Sequence, residues 1–162
     1  MGRLVITCDG SSLGNPGPGG WAWVISPDCW AAGGHRDTTN NLMELRAVFE
    51  ALSATPAQQP LLLQTDSSYV ISVFTEWLPG WKARGWRTAS RKPVANRQAI
   101  MLVEGLLIGR DVQWRHVRGH AGHVENELAD MHARAAATSM RDGSPIRTGA
   151  GGPDCVRAHI QK

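Results

Sequence analysis

The chain has 162 residues, the size of one ordinary domain, so we expect a single core and a single active site. A formal charge of +3 and a pI near 9.1 are only mildly basic, and these totals do not identify an anionic partner. No basic start precedes an apolar run and no stretch of about eighteen apolar residues occurs, which argues against a signal peptide or a membrane span. We therefore expect a soluble protein of the cytoplasm.

The three cysteines, Cys8, Cys29 and Cys155, are odd in number and far apart in the sequence. This pattern argues against a disulfide framework and against a paired-cysteine metal site. We expect three inert thiols in a reducing compartment.

The first part of the chain has the pattern of an antiparallel meander. An apolar, β-branched run from Arg3 to Cys8 predicts a strand that ends at Asp9, and a turn rich in Gly and Pro follows at 14–20. Two further strands are predicted at Trp21–Ser26 and Trp30–His35. The first strand therefore presents a carboxylate at its carboxyl end.

A helix and a buried strand come next. Thr39 and Asn40 resemble a helix N-cap, and apolar residues then recur at helical spacing, which places Glu44 in the first turn. The run Leu61–Leu63 predicts a fully apolar strand that leads into Asp66. A second strand thus ends on a carboxylate, and another helix is predicted after it.

The second half begins with a basic, aromatic excursion. Between residues 76 and 97 a single acid stands against six cationic side chains, with tryptophans between them. A helix is predicted at Asn96–Leu107 and a strand at Asp111–Val117. The last helix has an apolar stripe, which leaves Asp130 on another face. The residues of this predicted stripe are Val124, Leu128, Met131 and Ala135.

Beyond about residue 138 the sequence turns to Ser, Gly, Pro and scattered charge without periodicity. We therefore predict a folded domain at residues 1–137 and a disordered tail at 138–162. Strands that precede helices, after an initial meander, predict an α/β fold with a mixed sheet.

Four acidic residues gain meaning from these predicted positions. Asp9 and Asp66 follow strands, whereas Glu44 and Asp130 lie beside the apolar faces of helices. Each one alone is more simply a turn residue or a helix cap. Together at one end of a sheet they would repel one another, unless they bind hard divalent cations such as Mg²⁺. Two such ions roughly 4 Å apart can activate a water and stabilise the leaving oxygen of a phosphoryl displacement.

Five motifs between about Leu4 and Ala137 resemble, in order, those of the bacterial type 1 ribonuclease H family. They are TCDGSSLGNPGPGGW from Thr7, TTNNLMELRA from Thr38, TDSSYV from Thr65, WKARGWRTASRKPVAN from Trp81 and GHAGHVENELAD from Gly119. The resemblance implies a ribonuclease H-like α/β fold, with a five-stranded mixed sheet flanked by helices on both faces. It also implies an endonuclease that hydrolyses the RNA strand of RNA/DNA hybrids and leaves a 5′-phosphate and a 3′-hydroxyl. The implied cofactor is a pair of Mg²⁺ ions, with Mn²⁺ as a possible substitute.

The same resemblance implies catalytic roles. The metal-binding carboxylates would be Asp9, Glu44, Asp66 and Asp130. His120, in a loop with two glycines, would assist proton transfer or product release, which suits the near-neutral pKa of imidazole. From the residues alone, His120 and His123 could also be a solvated pair or part of a zinc site, although no cysteine lies nearby. Glu127 matches a secondary acid near the site, and it could equally pair with Arg134 or Arg118.

Two further groups of residues match the family's contacts with substrate near the cut. The contacts with the minor groove and its sugars would come from Asn15, Asn40, Asn41 and Ser68. Thr39 and Asn96 match the pocket for a phosphate of the DNA strand. At Ser68 the family often carries a longer amide, and helix capping alone would also explain Thr39 and Asn40.

The basic excursion resembles the family's basic protrusion, which grips the duplex away from the cut. Its candidate contacts are Trp81, Lys82, Arg84, Trp86, Arg87 and Lys92. Ala83 and Ala95 stand where relatives often have Lys. A charge run is otherwise a solvated face and tryptophans are otherwise core, but unbalanced positive charge repels itself and phosphate contacts release counterions, which favours binding.

The expected partner is therefore an RNA/DNA hybrid duplex, with no membrane, and the expected state is a monomer. One alternative is a binding module that holds hybrids without cutting, but it would need a broken acid set and all four acids are present. Another is a different nuclease on the same fold, since a fold alone does not define the substrate.

Overall fold

The computed structural model describes residues 2–119 and 122–160, so His120 lies outside the described residues. The strands are β1 Leu4–Ser12, β2 Gly17–Ser26, β3 Cys29–Thr38, β4 Leu61–Thr65 and β5 Val112–His116. The helices are α1 Asn40–Ser53, α2 Ser68–Ser72, α3 Leu78–Ala83, α4 Arg97–Leu107, α5 Val124–Asp142 and α6 Pro153–Ile160, with a π-helical turn at Val73–Trp77 between α2 and α3. Among the described residues no helix is both long and apolar enough to cross a membrane.

The five strands form a mixed sheet in the order β3-β2-β1-β4-β5. β1, β2 and β3 pair as an antiparallel meander, whereas β4 pairs parallel to β1 and β5 parallel to β4. One buried cluster joins the sheet to α1 and α4, and a second joins it to α5, so helices cover both faces. The predicted α/β fold with a five-stranded mixed sheet is confirmed.

α1 begins where the sequence predicts. The Thr39 hydroxyl accepts a hydrogen bond from the Leu42 N–H at 3.2 Å, which satisfies one of the free donors of the first turn. Leu45, Val48 and Leu52 are then fully buried on the face toward the sheet. α1 therefore lies with its amino-terminal end, and Glu44, beside the carboxyl end of β1.

The predicted apolar stripe of α5 is wrong for Val124, Met131 and Ala135, which are exposed, and only Leu128 of its four residues packs against the core. Val124 is 60% exposed and Met131 is 52% exposed, whereas the buried face consists of Ala129, Ala133, Ala136, Ala137 and Asn126. The reason is close packing, because a β-carbon at Gly20 of β2 would collide with the carbonyl oxygen of Ala133. Only small residues allow the helix to approach the sheet so closely. The alanines of the buried face give a weaker hydrophobic signal in the sequence than the exposed Val124 and Met131.

The prediction of a disordered tail is also wrong for the residues that the structure describes. α5 continues to Asp142, and α6 places Val156 in the main core at 2% exposure. Cys29 and Cys155 form a disulfide, and the Ala32 N–H donates to the Thr148 carbonyl at 3.3 Å. These attachments are single contacts spread along the tail, so they leave no periodic pattern in the sequence. The expectation of three inert thiols is therefore wrong for Cys29 and Cys155, which the fold brings together, and Cys8 remains a buried free cysteine.

Candidate active site

Three carboxylates meet at the carboxyl end of the central strands. Asp9, near the end of β1, is 3% exposed, and Glu44 of α1 is 5% exposed. Asp66 follows β4 directly, and one oxygen from each of the three lies within 4.8 Å of the others. Asp130 of α5 lines the same open depression. The structure therefore brings together all four acids that the sequence singles out.

The backbone explains why these acids meet. β1 and β4 are parallel, with Cys8 paired to Thr65, so the next residue of each strand carries its carboxylate to the same edge of the sheet. Gly10 allows α1 to approach, because a β-carbon there would collide with the backbone at Glu44. The Gly10 N–H also donates to the Glu44 carboxylate.

Burial and mutual repulsion raise the pKa of two of these groups. The pKa of Asp9 is raised first by burial and then by the charges of Glu44, Asp66 and Asp130. The pKa of Glu44 is raised by burial and by the charge of Asp66. Buried carboxylates this close together are costly without a cation, and oxygen donors of this type are those that hard divalent ions prefer. The donor set therefore fits a divalent metal site.

Asp130 has a cationic neighbour on its own helix. The Arg134 guanidinium lies 3.4 Å from Asp130 Oδ2, one helical turn away. Arg134, one of the two partners suggested for Glu127, therefore pairs with Asp130 instead. This side-chain bond is exposed, and a surface pair of this kind contributes little stability.

The loop before α5 passes against the acids. A β-carbon at Gly119 would lie 2.8 Å from Asp66 Oδ2, so a larger residue would push on that carboxylate. The next residue is His120, which the structure does not describe, and its predicted role is not tested. His123 has a structural task, because its Nδ1 accepts the Asn126 N–H at 3.1 Å and caps α5.

Several polar residues predicted to contact substrate surround the acids. Asn40, Asn41 and Ser68 line the depression, and the Asn15 Oδ1 accepts the Asn40 N–H at 3.0 Å. Asn15 thereby ties the turn before β2 to the start of α1. These residues form a polar rim, although Ser68 is too short to reach far.

Tyr69 lines the depression too, and the sequence reasoning missed it. The Asn96 Nδ2 donates to the Tyr69 hydroxyl at 3.1 Å, which links the start of α4 to the rim. Asn96 itself has a left-handed backbone, with φ of 64°. The only signal in the sequence was the position of Tyr69 directly after Ser68 in the TDSSYV motif.

The basic protrusion, residues 81–97, is less free than its sequence suggests. Lys82 Nζ lies 2.9 Å from a carboxylate oxygen of Glu104 in α4, so one positive charge of the protrusion is paired. Arg84 donates to the Arg87 carbonyl, and Arg87 donates to the Arg91 carbonyl. These three arginines line one shallow cavity with Thr88. The local bonds hold several positive charges on one surface.

The tryptophans of the protrusion have a packing role. Trp81 and Trp86 are half-buried against the main core, and the Arg97 guanidinium lies 5.1 Å from the Trp86 ring centre. The alternative that these tryptophans pack against the core is therefore confirmed. Their part in substrate binding stays a prediction. Lys92 is exposed, and its backbone N–H donates to the Thr88 hydroxyl.

The sheet order and the acids at the ends of two parallel strands define an α/β domain with an acidic site that fits divalent metal ions. A family model described as RNase H matches residues 1–138. Ribonuclease H of Tropheryma whipplei (strain Twist) is 43% identical over 150 residues, 92% of this chain and 93% of that protein. Ribonuclease HI of Streptomyces coelicolor is 46% identical over 142 residues, 83% of this chain, and the match spans 62% of that longer relative.

Solved structures agree with the sequence comparisons. The crystal structure of LC9-RNase H1, described as a type 1 RNase H with the type 2 active-site motif, has a TM-score of 0.73 and 30% identity. That likeness covers 94% of this chain and 77% of the other. The chain belongs to the ribonuclease H family, the endonucleases that hydrolyse the RNA strand of RNA/DNA hybrids.

Proposed function

We propose that this chain cuts the RNA strand of hybrid duplexes at the depression around Asp9, and that the products carry a 5′-phosphate and a 3′-hydroxyl. The observation that carries the proposal is the group of three buried or half-buried carboxylates with oxygens within 4.8 Å of one another. Membership of the ribonuclease H family supports the same reaction. The catalytic unit would be residues 1–137, with residues 138–160 docked on it.

Asp9, Glu44, Asp66 and Asp130 would hold two Mg²⁺ ions, or Mn²⁺ in their place. When bound, such ions activate the attacking water and stabilise the leaving oxygen. The chain's own contribution would be to hold the four carboxylates at one point, at the cost of a raised pKa for Asp9 and Glu44. The Gly10 N–H donates to the Glu44 carboxylate, and the Arg134 guanidinium lies beside Asp130.

Choice of substrate would come from the rim and the protrusion. Asn40, Asn41 and Ser68 lie beside the acids, where short polar side chains can donate to the 2′-hydroxyls that distinguish RNA from DNA. Asn15, Thr39 and Asn96 shape that rim through their hydrogen bonds.

The protrusion would attract phosphates of the duplex further from the cut. We also propose that His120 assists proton transfer or product release, and that the protein acts as a cytoplasmic monomer, as the sequence predicts.

The direct test is cleavage of labelled RNA/DNA hybrid, duplex DNA and duplex RNA, each with Mg²⁺ or with EDTA. We expect Mg²⁺-dependent cuts within the RNA strand of the hybrid only. Binding to hybrid without cleavage would indicate a silent binding module. Equal cleavage of duplex DNA would indicate another nuclease on the same fold.

A further inference from the structure

Three polar side chains cross the sheet directly beneath the acidic site. Gln64 Nε2 donates to Thr7 Oγ1 at 3.0 Å, and Arg115 Nη1 donates to Gln64 Oε1 at 3.1 Å. Thr7 is paired with Gln64 in the β1–β4 register, and Gln64 with Arg115 in the β4–β5 register. We call this row the Thr7–Gln64–Arg115 bridge.

The bridge lies one step below the carboxylates. Thr7 precedes Asp9 by two residues, and Gln64 precedes Asp66 by two residues. Side chains two residues apart in a strand share a face, so Thr7 and Asp9 point to the same side of β1. The bridge therefore joins the two strands at the last layer before the acids.

The Thr7–Gln64 pair is polar, although an apolar pair at this position would also hold β1 and β4 together. The pairs below it are Leu4 with Leu61, Val5 with Leu62 and Ile6 with Leu63. Thr7 is fully buried and Gln64 is 4% exposed, so a broken bond would leave a buried amide or hydroxyl unpaired. Apolar pairs tolerate small shifts, whereas this arrangement penalises any shift of β1 against β4.

We propose that Gln64 is a positioning residue, which sets the spacing and direction of Asp9 and Asp66 so that both can ligate the same metal ions. The inference rests on the proposed function, because it assigns those two acids to metal binding. Gln64 does not itself touch the metal. It acts through the strand ends, as residues behind metal ligands commonly do.

Four variants test this role. Thr7→Val removes the hydroxyl at nearly constant shape, Thr7→Ser keeps the hydroxyl, and Gln64→Met removes the amide. The matched control is Thr55→Val, since Thr55 is also a buried threonine whose hydroxyl accepts a side-chain hydrogen bond, here from Arg110 Nη2 at 2.9 Å. Thr55 lies just beyond the end of α1, which itself ends roughly 14 Å along the helix axis from Glu44, and so Thr55 is far from the acids.

The readouts are Mn²⁺ binding by calorimetry without substrate, thermal melting, and kcat and KM on hybrid. Thr7→Val and Gln64→Met should weaken Mn²⁺ binding by about tenfold and lower kcat, with KM for the hybrid little changed. Thr7→Ser should restore most of the affinity. Thr55→Val should lower the melting temperature about as much as Thr7→Val does, but it should not affect Mn²⁺ binding.

Two failures can be told apart. If wild type binds Mn²⁺ no better than Asp9→Asn, the proposed metal site itself is wrong. If wild type binds Mn²⁺ through Asp9 but Thr7→Val and Gln64→Met bind it equally well, the bridge is merely structural. The positioning role is also overturned if Thr55→Val weakens Mn²⁺ binding as much as they do.

Discussion

The acidic site and the basic protrusion are built in opposite ways. The acids are mostly buried and project from strands and helices whose register is set by the sheet. The cations of the protrusion are exposed, and most lie on the loop between α3 and α4, where the side chains of Arg84 and Arg87 bond to neighbouring backbone carbonyls. A site where one misplaced oxygen matters needs a rigid frame, whereas duplex binding can be spread over several weak contacts. Loss of one residue should therefore affect the two regions very differently.

The largest expected effect is at the acids. Asp9→Asn or Asp66→Asn should lower kcat by more than about a hundredfold. Mutating a residue that only hydrogen-bonds to a metal ligand costs about 10- to 100-fold, and loss of the ligand itself should cost more. Binding of hybrid should survive, because it is distributed over the duplex. Single-turnover cleavage and filter binding measure the two properties. Asp28→Asn, at an exposed acid in the β2–β3 turn, is the control and should leave both unchanged. Mg²⁺-dependent activity near that of wild type in either site variant would contradict the assignment.

The protrusion should give a smaller and different effect. Replacing Arg84 and Arg87 together by Gln should raise KM for hybrid several-fold while kcat stays constant. The logarithm of the binding constant for hybrid decreases linearly with the logarithm of the salt concentration. The steepness of that decrease should become smaller by up to about 1.8, if each arginine contacts one phosphate. The control is the pair Arg141→Gln and Arg157→Gln, which changes the net charge equally on exposed residues elsewhere. Equal effects in the two pairs would mean that the protrusion is only a solvated face.

The same contrast explains what could be predicted from the sequence. Asp9 and Asp66 could be placed because a strand that ends on an acid is a local pattern, and parallel pairing then brings the two ends together. The cap at Thr39 is local as well. Glu44 follows from its position in the first turn of the helix after that cap.

The misses depend on partners that are distant in sequence. The disulfide joins cysteines 126 residues apart, and no spacing rule reveals such a pair. The buried face of α5 was missed because its alanines carry a weak signal, and the reason for alanine lies in Gly20 of another strand. Lys82 was counted as a free charge because Glu104 lies outside the basic segment.

The docked tail allows a prediction about stability rather than catalysis. Cys155→Ser should lower the free energy of unfolding by about 2–4 kcal/mol, because the disulfide restricts the unfolded chain. The turnover of hybrid should stay within about twofold of wild type, since α6 does not line the depression. Denaturant melts with and without a reducing dithiol measure the effect, and the variant should not respond to the reductant. Wild-type melts that are identical with and without reductant would show that the tail is not held by this bond.

The smallest expected effect tests the electrostatics of the acids without metal. A carboxyl group whose pKa is raised in the folded state, as for Asp9, binds its proton more tightly there than in the unfolded chain. Its destabilising contribution is therefore absent at low pH and grows as the pH rises above the ordinary carboxyl range of about 4. Asp9→Asn removes that contribution, so in EDTA at pH 7 to 8 the variant should be as stable as wild type or more stable by about 1 kcal/mol.

The difference should shrink as the pH falls through about 4 and vanish below it, where the wild-type group is protonated in both states. Mg²⁺ should reverse the order at neutral pH, because an ion that binds only the folded protein stabilises wild type more than the variant. Thermal melts at matched ionic strength compare the two proteins in EDTA at neutral pH, in EDTA at low pH and in Mg²⁺ at neutral pH, and Asp28→Asn again serves as the control. If Asp9→Asn melts clearly lower than wild type in EDTA at neutral pH, then Asp9 is held by favourable hydrogen bonds. In that case repulsion among the acids is not the dominant energy at this site in the metal-free protein.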